Sequence, residues 1–244
     1  MNYYDIEQYV LKVFTECEVT SFPIDCQALL HHYGYSVYSY QELSEKNKTL
    51  YEMCSAFSED AFRDGKNMII AYNEKKPAVR IRFSLAHELG HHILNHSGIS
   101  KRNETEANYF AGHLLSPRII IHYSGCESAR DVSLAFHISM EAAQIAWDNY
   151  CRWHKRFNGY ISNVDYQIYT HFCTGKNKDF IWNIKKCEFC GATLYNSLSN
   201  HCRYCSLPKE IDRDSHSTHT FGLFLSEEDK LALRRLENKY LSLP

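Results

Sequence analysis

No run of apolar residues in this 244-residue chain approaches the ~20 that a membrane-spanning helix requires. Met1 to Val10 hold no basic stretch followed by an apolar one, so nothing reads as a secretory signal and the expectation is a soluble, cytoplasmic protein. Charge of one sign is not in excess either. Lys and Arg number 27 against 29 Asp and Glu, a net −2, which removes any global basic field drawing the chain to nucleic acid or an anionic membrane. Internal repeats and low-complexity tracts are absent. What remains, 44% hydrophobic and 23% charged, is the profile of a globular protein with one large domain, alone or with a small appendix.

Histidine and cysteine are plentiful, at 14 and 10. Cys17, Cys26, Cys54, Cys126, Cys151 and Cys173 are scattered singly and read as small buried hydrophobes. Cys187, Cys190, Cys202 and Cys205 form two tight pairs. Without a signal peptide, that paired spacing favours reduced, metal-binding thiols over disulfides.

Ile6, Val10, Val13 and Phe14 repeat at helical spacing, and a second helix carrying Ala28, Leu29 and Leu30 follows Pro23 and closes at Gly34. Tyr35–Tyr40 is β-prone, and Asn67–Asn73 reads as a strand after the Asp64-Gly65 turn. Ser84–Asn95 and Asn103–Leu115 read as helices. Asp131–Arg152 is a helix-turn-helix-like pair around Phe136–Ser139. It has no Lys/Arg cluster on its second helix, so packing on the core is preferred over reading DNA. Lys209–Thr220 has a linker's composition, and Ser226–Leu241 is amphipathic with a capping-box-like start at Ser226 and Asp229.

The sharpest chemical signal is His87-Glu88-Leu89-Gly90-His91, an HExxH on an expected helix. Histidines at i and i+4 share a face and can reach one ion, while the glutamate projects beside them as a general base for an attacking water. Gluzincin-type sites take a third ligand from a glutamate on a later helix, with a polar residue four positions on that bonds a liganding histidine. Glu104 and Asn108 supply that spacing. Glu106 lies ~160° round the helix from Asn108 and ranks second as ligand. His92 and His96 share the ligand face poorly and are expected at the helix-end surface.

At these residues the chain resembles a known family. Arg82 to Leu94 (RFSLAHELGHHIL), followed by Glu104-x-Glu106-Ala107-Asn108-x-Phe110-Ala111-x-x-Leu114-Leu115-x-Pro117, is similar to the ImmA/IrrE metallo-endopeptidases. That family is linked to cleavage of helix-turn-helix repressors in mobile genetic elements and stress responses. The resemblance spans roughly Phe22 to Trp153, with Ser116 standing where many members carry methionine. It implies His87, His91 and Glu104 as ligands of a catalytic zinc and Glu88 as the base that passes a proton from water to the leaving amine. Tyr72 is a candidate for stabilising the oxyanion, and the Asn67–Asn73 strand either lies along the cleft beside an extended substrate or merely closes the sheet.

The cysteine pairs form a second pattern. Cys187-x2-Cys190-Gly191 and Cys202-x2-Cys205, eleven residues apart, read as a zinc ribbon whose four thiolates close a structural site. Lys185, Lys186, Arg203 and Lys209, with Phe189, Tyr195 and Tyr204, could touch nucleic acid; protein docking or a purely structural role is preferred.

The expectation is thus an α+β, mostly helical zincin-like domain with a small β-sheet over 1–157. A connecting segment (158–179), the ribbon (180–208), and a linker with C-terminal helix (209–244) follow. Two zinc ions, one catalytic and one structural, are expected. The expected function is zinc-dependent cleavage of a helix-turn-helix repressor, with no membrane partner. The rival reading is a zinc-stabilised regulator that binds a repressor or nucleic acid without cutting.

Overall fold

The computed structural model describes residues 2–98, 100–156, 161–174 and 178–206. The linker and helix expected from Lys209 onward lie outside them. Helix α1 (Tyr3–Glu16) opens with a capping box between Asn2 and Asp5 and buries Ile6, Val10, Val13 and Phe14. Helix α2 (Cys26–His32) is capped by Asp25 and followed by Gly34, whose φ of 83° an L side chain would resist. Strand β1 (Ser36–Ser39) leads into α3 (Tyr40–Lys46) and α4 (Lys48–Phe57), with Asn47 ending one helix and capping the next.

Strands β2 (Ala61–Asp64) and β3 (Ile69–Tyr72) flank the Asp64-Gly65 turn, where the Asp64 carboxylate accepts from the backbone of Lys66 and Asn67. The sheet runs β1-β3-β2, with β3 parallel to β1 and antiparallel to β2. The strand expected beside the cleft, β3, is therefore the central one. Its neighbour β2 takes the edge.

Helix α5 (Ala78–Ile93) starts well before the expected Ser84. Its first turns carry Arg80 and Arg82, which blur the apolar period. Arg82 reaches across to the carbonyls of Ile24 (2.7 Å), His137 (3.2 Å) and Phe136 (3.4 Å), tying this end of the helix to two other segments. Helix α6 (Lys101–Leu115), capped by Ser100, packs against α5. Then come α7 (Arg118–Ser124), α8 (Ala129–Phe136) and α9 (Met140–Lys155), the last two joined through His137 in the left-handed region. Helix α10 (Asn163–His171), a short hairpin of β4 (Cys173–Thr174) and β5 (Asp179–Phe180), a second hairpin of β6 (Ile184–Lys186) and β7 (Thr193–Tyr195), and α11 (Arg203–Ser206) follow among the described residues.

The architecture is α+β, as expected. One core gathers α1, α2, α5–α10 and the sheet face bearing Ile70; a smaller cluster of Tyr40, Leu43, Cys54 and Ala71 lies on the other face. Val164, Ile168, Phe172 and Trp182 belong to the main core. The Phe22 N–H donates to the Trp182 carbonyl and the Asn183 amide donates to the Phe22 carbonyl, each at 2.8 Å, so the β6–β7 hairpin is anchored at its root. Among the described residues no helix is long and apolar enough to cross a membrane.

Candidate metal centre and cleft

Two helices make the site. On α5, His87 and His91 lie one turn apart with Glu88 between them; on α6, Glu104 sits in the first turn. The helices can approach because residue 90 is glycine. A Cβ there would meet Phe110 Cδ1 at 2.9 Å and the Ala107 carbonyl oxygen at 3.3 Å. His87 Nε2 and His91 Nε2 come to 3.0 Å, and the Glu104 carboxylate stands 3.2 Å from the first and 3.4 Å from the second.

That geometry fits a metal ion. His87 Nδ1 donates to Asn108 Oδ1 at 2.9 Å, which leaves its Nε2 as a bare lone pair facing a carboxylate and another imidazole. Acceptors converge this way around a cation, and three ligand atoms ~2.0–2.1 Å from zinc in a tetrahedron stand ~3.3 Å apart. Burial disfavours the charged form of both rings. It lowers the pKa of His87 against the pull of Glu104, and brings that of His91 down to about 4 with help from His87, His96 and Arg63.

Glu88 is half-buried beside the ligands, and desolvation lifts its pKa to about 7, with Arg63 opposing the rise and Glu104 adding to it. Arg63, on edge strand β2, places its Nε 3.9 Å from Glu88 Oε2 and donates from Nη1 to the Tyr35 hydroxyl at 3.3 Å. That buried Nε has no hydrogen-bond partner. Nothing in the sequence pointed to Arg63, because neither a motif nor a helical period links it to the HExxH.

His87, Glu88, His91 and Glu104 line a cleft of ≈ 1670 Å³, shared with β2 (Ala61–Arg63) and α9 (Ala142, Ile145, Ala146). This exceeds the ~300–1,000 Å³ of a small-molecule pocket and suits a polypeptide.

Residues 28–148 match the family model described as the IrrE N-terminal-like domain (Peptidase_M78). That segment belongs to the ImmA/IrrE family of metallopeptidases. No curated protein matches the chain. The ImmA/IrrE segment begins in α2 and ends in α9, so it holds the whole sheet, both site helices and most of the cleft lining. The matched segment is accordingly of a metallopeptidase type, which implies a protein substrate. Helices α1 and α10 and the cysteine hairpin lie outside the matched residues.

The expectations for Tyr72, His92 and His96 need correction. Tyr72 does not line the cleft. It sits on the Ile70 face of β3, where its hydroxyl accepts from the Gln27 side chain of α2 at 3.4 Å. Glu106 points away from His87 and His91, accepting from Arg102 Nε at 2.9 Å and facing His96 Nε2 at 3.1 Å. His92 and His96 are not surface positions. The Tyr35 hydroxyl lies 3.0 Å from His92 Nδ1, and the His96 side chain is only 6% exposed.

The cysteine pairs converge as well. The ligand atoms of Cys187, Cys190, Cys202 and Cys205 all lie within 4.8 Å of one another, and all four are free thiols. Cys190 Sγ and Cys202 Sγ are 3.6 Å apart, far beyond a disulfide's ~2.05 Å and close to the ~3.8 Å between sulfurs 2.3 Å from a tetrahedral zinc. Backbone N–H groups of Cys190 and Cys202 face the Cys187 sulfur and draw its pKa down to about 6. Gly191 takes φ 72° where the first knuckle turns.

Proposed function

We propose that the protein is a zinc-dependent endopeptidase that cuts a helix-turn-helix transcriptional repressor. The observation that carries the chemistry is the convergence of His87, His91 and Glu104 in a cleft that also holds Glu88. Zinc held by those three residues would polarise the scissile carbonyl and acidify a water towards pKa ~7. Glu88 accepts the proton of the attacking water and delivers it to the departing amine, the work of a carboxyl poised near neutrality. An extended substrate segment adds to the free edge of β2, whose backbone groups fix it across the cleft. Arg63, with its unpartnered Nε, is the cation placed for developing negative charge, the role expected of Tyr72.

The repressor as substrate rests on the family resemblance, and cytoplasmic location follows from such a substrate. The four-cysteine hairpin is a separate structural zinc site: four thiolates leave no place for water, and so short a module draws its folding energy from the metal. In the domain division that follows, the peptidase domain ends near 157, and the ribbon (180–208) is joined to it by 158–179.

The test compares cells expressing the wild type with cells expressing Glu88→Gln, mapping new protein N-termini and recovering what the variant retains. A terminus that appears only with wild type, in a repressor the variant holds intact, supports the proposal. Equal partner recovery with no new terminus under inducing stress would favour a regulator that binds without cutting.

A further inference from the structure

Helix α5 ends in a way that bears on its second ligand. Asn95 takes the left-handed conformation at φ 53°, its N–H bonds back to the His92 carbonyl, and the His96 N–H bonds back to the His91 carbonyl, each at 3.0 Å. This is a Schellman stop, in which the chain folds back under its last turn. It carries the His96 ring beneath His91, with the two Nδ1 atoms 3.1 Å apart. On the far side, His96 Nε2 stands 3.1 Å from Glu106 Oε2, and Arg102 Nε holds the other carboxylate oxygen at 2.9 Å. The side chains of His96 and Glu106 are 6% and 10% exposed. Polar groups that deep are costly unless bonded.

Only one placement of protons satisfies the whole row when His91 serves as a ligand. His91 presents Nε2 towards His87 and Glu104, so Nε2 carries the lone pair and Nδ1 carries the proton. His96 Nδ1 must then accept, which puts its own proton on Nε2, pointing at Glu106. Glu106 accepts from His96 with one oxygen and from Arg102 with the other. We infer that His96 and Glu106 are positioning residues, a carboxylate–histidine relay that fixes the tautomer and ring orientation of His91 as Asn108 does for His87. Glu106 thereby has a task that excludes it from the ligand set.

The inference rests on the metal reading of His87, His91 and Glu104, and the experiment separates the two. Cobalt is titrated into the full-length apoprotein against a competing chelator. Absorption distinguishes the nitrogen–oxygen site from the four-thiolate site, and unfolding of each variant is followed in chelator without metal. His96→Leu removes the acceptor, whereas His96→Asn keeps an oxygen near the place of Nδ1. His96→Leu is expected to weaken the nitrogen–oxygen site about 10–100-fold, with His96→Asn remaining within about threefold of wild type and metal-free stability changing little. Glu106→Gln should weaken the site in the wild-type background and have no further effect beside His96→Leu.

A wild type that takes no cobalt outside the thiolates would overturn the metal reading itself. With wild-type binding intact, equal affinity in His96→Leu overturns the relay. So does a His96→Asn variant as weak as His96→Leu, because ring packing and not the hydrogen bond would then be responsible.

Discussion

Arg118 stands at the junction of α1, α6, α7 and α10, and replacing it with methionine tests how the wall behind the cleft is held. Its guanidinium donates to both oxygens of Glu7 at 2.7 Å and to both oxygens of Asp165 at 2.9–3.1 Å. Tyr109 adds a bond to Glu7 at 2.6 Å and Ser162 one to Asp165 at 2.7 Å. The two carboxylate side chains are 4% and 0% exposed, so Arg118→Met leaves two buried anions facing each other. Breaking a buried pair on one side costs ~3–5 kcal/mol. At ~2–4 °C per kcal/mol for a chain of this size, the melting temperature should fall by ~6–20 °C. The triple variant that adds Glu7→Gln and Asp165→Asn removes the stranded charge and should recover much of the deficit. Urea unfolding at pH 7 reads both effects. A loss below ~1 kcal/mol at pH 7, or a triple variant no more stable than Arg118→Met, would refute a buried charge cluster as the clamp.

Gly90→Ala forces a 2.9 Å contact on the fully buried Phe110 ring. The ~1–3 kcal/mol overpacking cost is offset in part by ~1 kcal/mol of helix propensity, so stability should shift little while α6 moves and metal binding by Glu104 weakens; unchanged binding in a chelator titration would contradict this. His113 is buried with an unpartnered Nε2, and burial with the nearby Arg118 charge lowers its pKa to about 3, Asp165 opposing. A depressed histidine contributes stability that is intact above pH 6.5 and lost as pH falls towards 3. His113→Phe should therefore flatten the acid slope, gaining about 2 kcal/mol at pH 5 relative to neutral pH, and a parallel slope in unfolding curves would count against it. Cys202→Ser should abolish the thiolate-to-cobalt charge-transfer band and leave the absorption of the second site; loss of both bands together would show that the two sites are not independent.

Where neighbours in space were also neighbours at a fixed sequence spacing, the chain was readable. HExxH places two imidazoles on one face, and Glu104 with Asn108 repeats the device on α6. The helical spacing of Ile6, Val10, Val13 and Phe14 marks α1, and the paired cysteines fold into a single cluster. What could not be read came from long separations or short, irregular elements. Strand β2 is four residues, Ala61-Phe62-Arg63-Asp64, with two charges and no clear alternation, so neither the free edge nor Arg63 beside Glu88 was foreseeable. Arg118 meets Asp165 across 47 positions and Glu7 across 111, beyond any local pattern. His96 was misplaced for a subtler reason. Helical geometry was extended one residue past the point where Asn95 turns the chain back, and a residue beyond that stop no longer follows the 3.6 period.

The account depends most on α5 and α6 gathering one metal ion, and a crystal structure with anomalous data at the zinc edge tests that directly. Two peaks are predicted. One should lie within ~2.0–2.2 Å of His87 Nε2, His91 Nε2 and a Glu104 carboxylate oxygen, the other ~2.3 Å from the sulfurs of Cys187, Cys190, Cys202 and Cys205. A zinc-replete crystal with no peak between His87 and His91, or a peak bonded to Glu106 in place of Glu104, would contradict it.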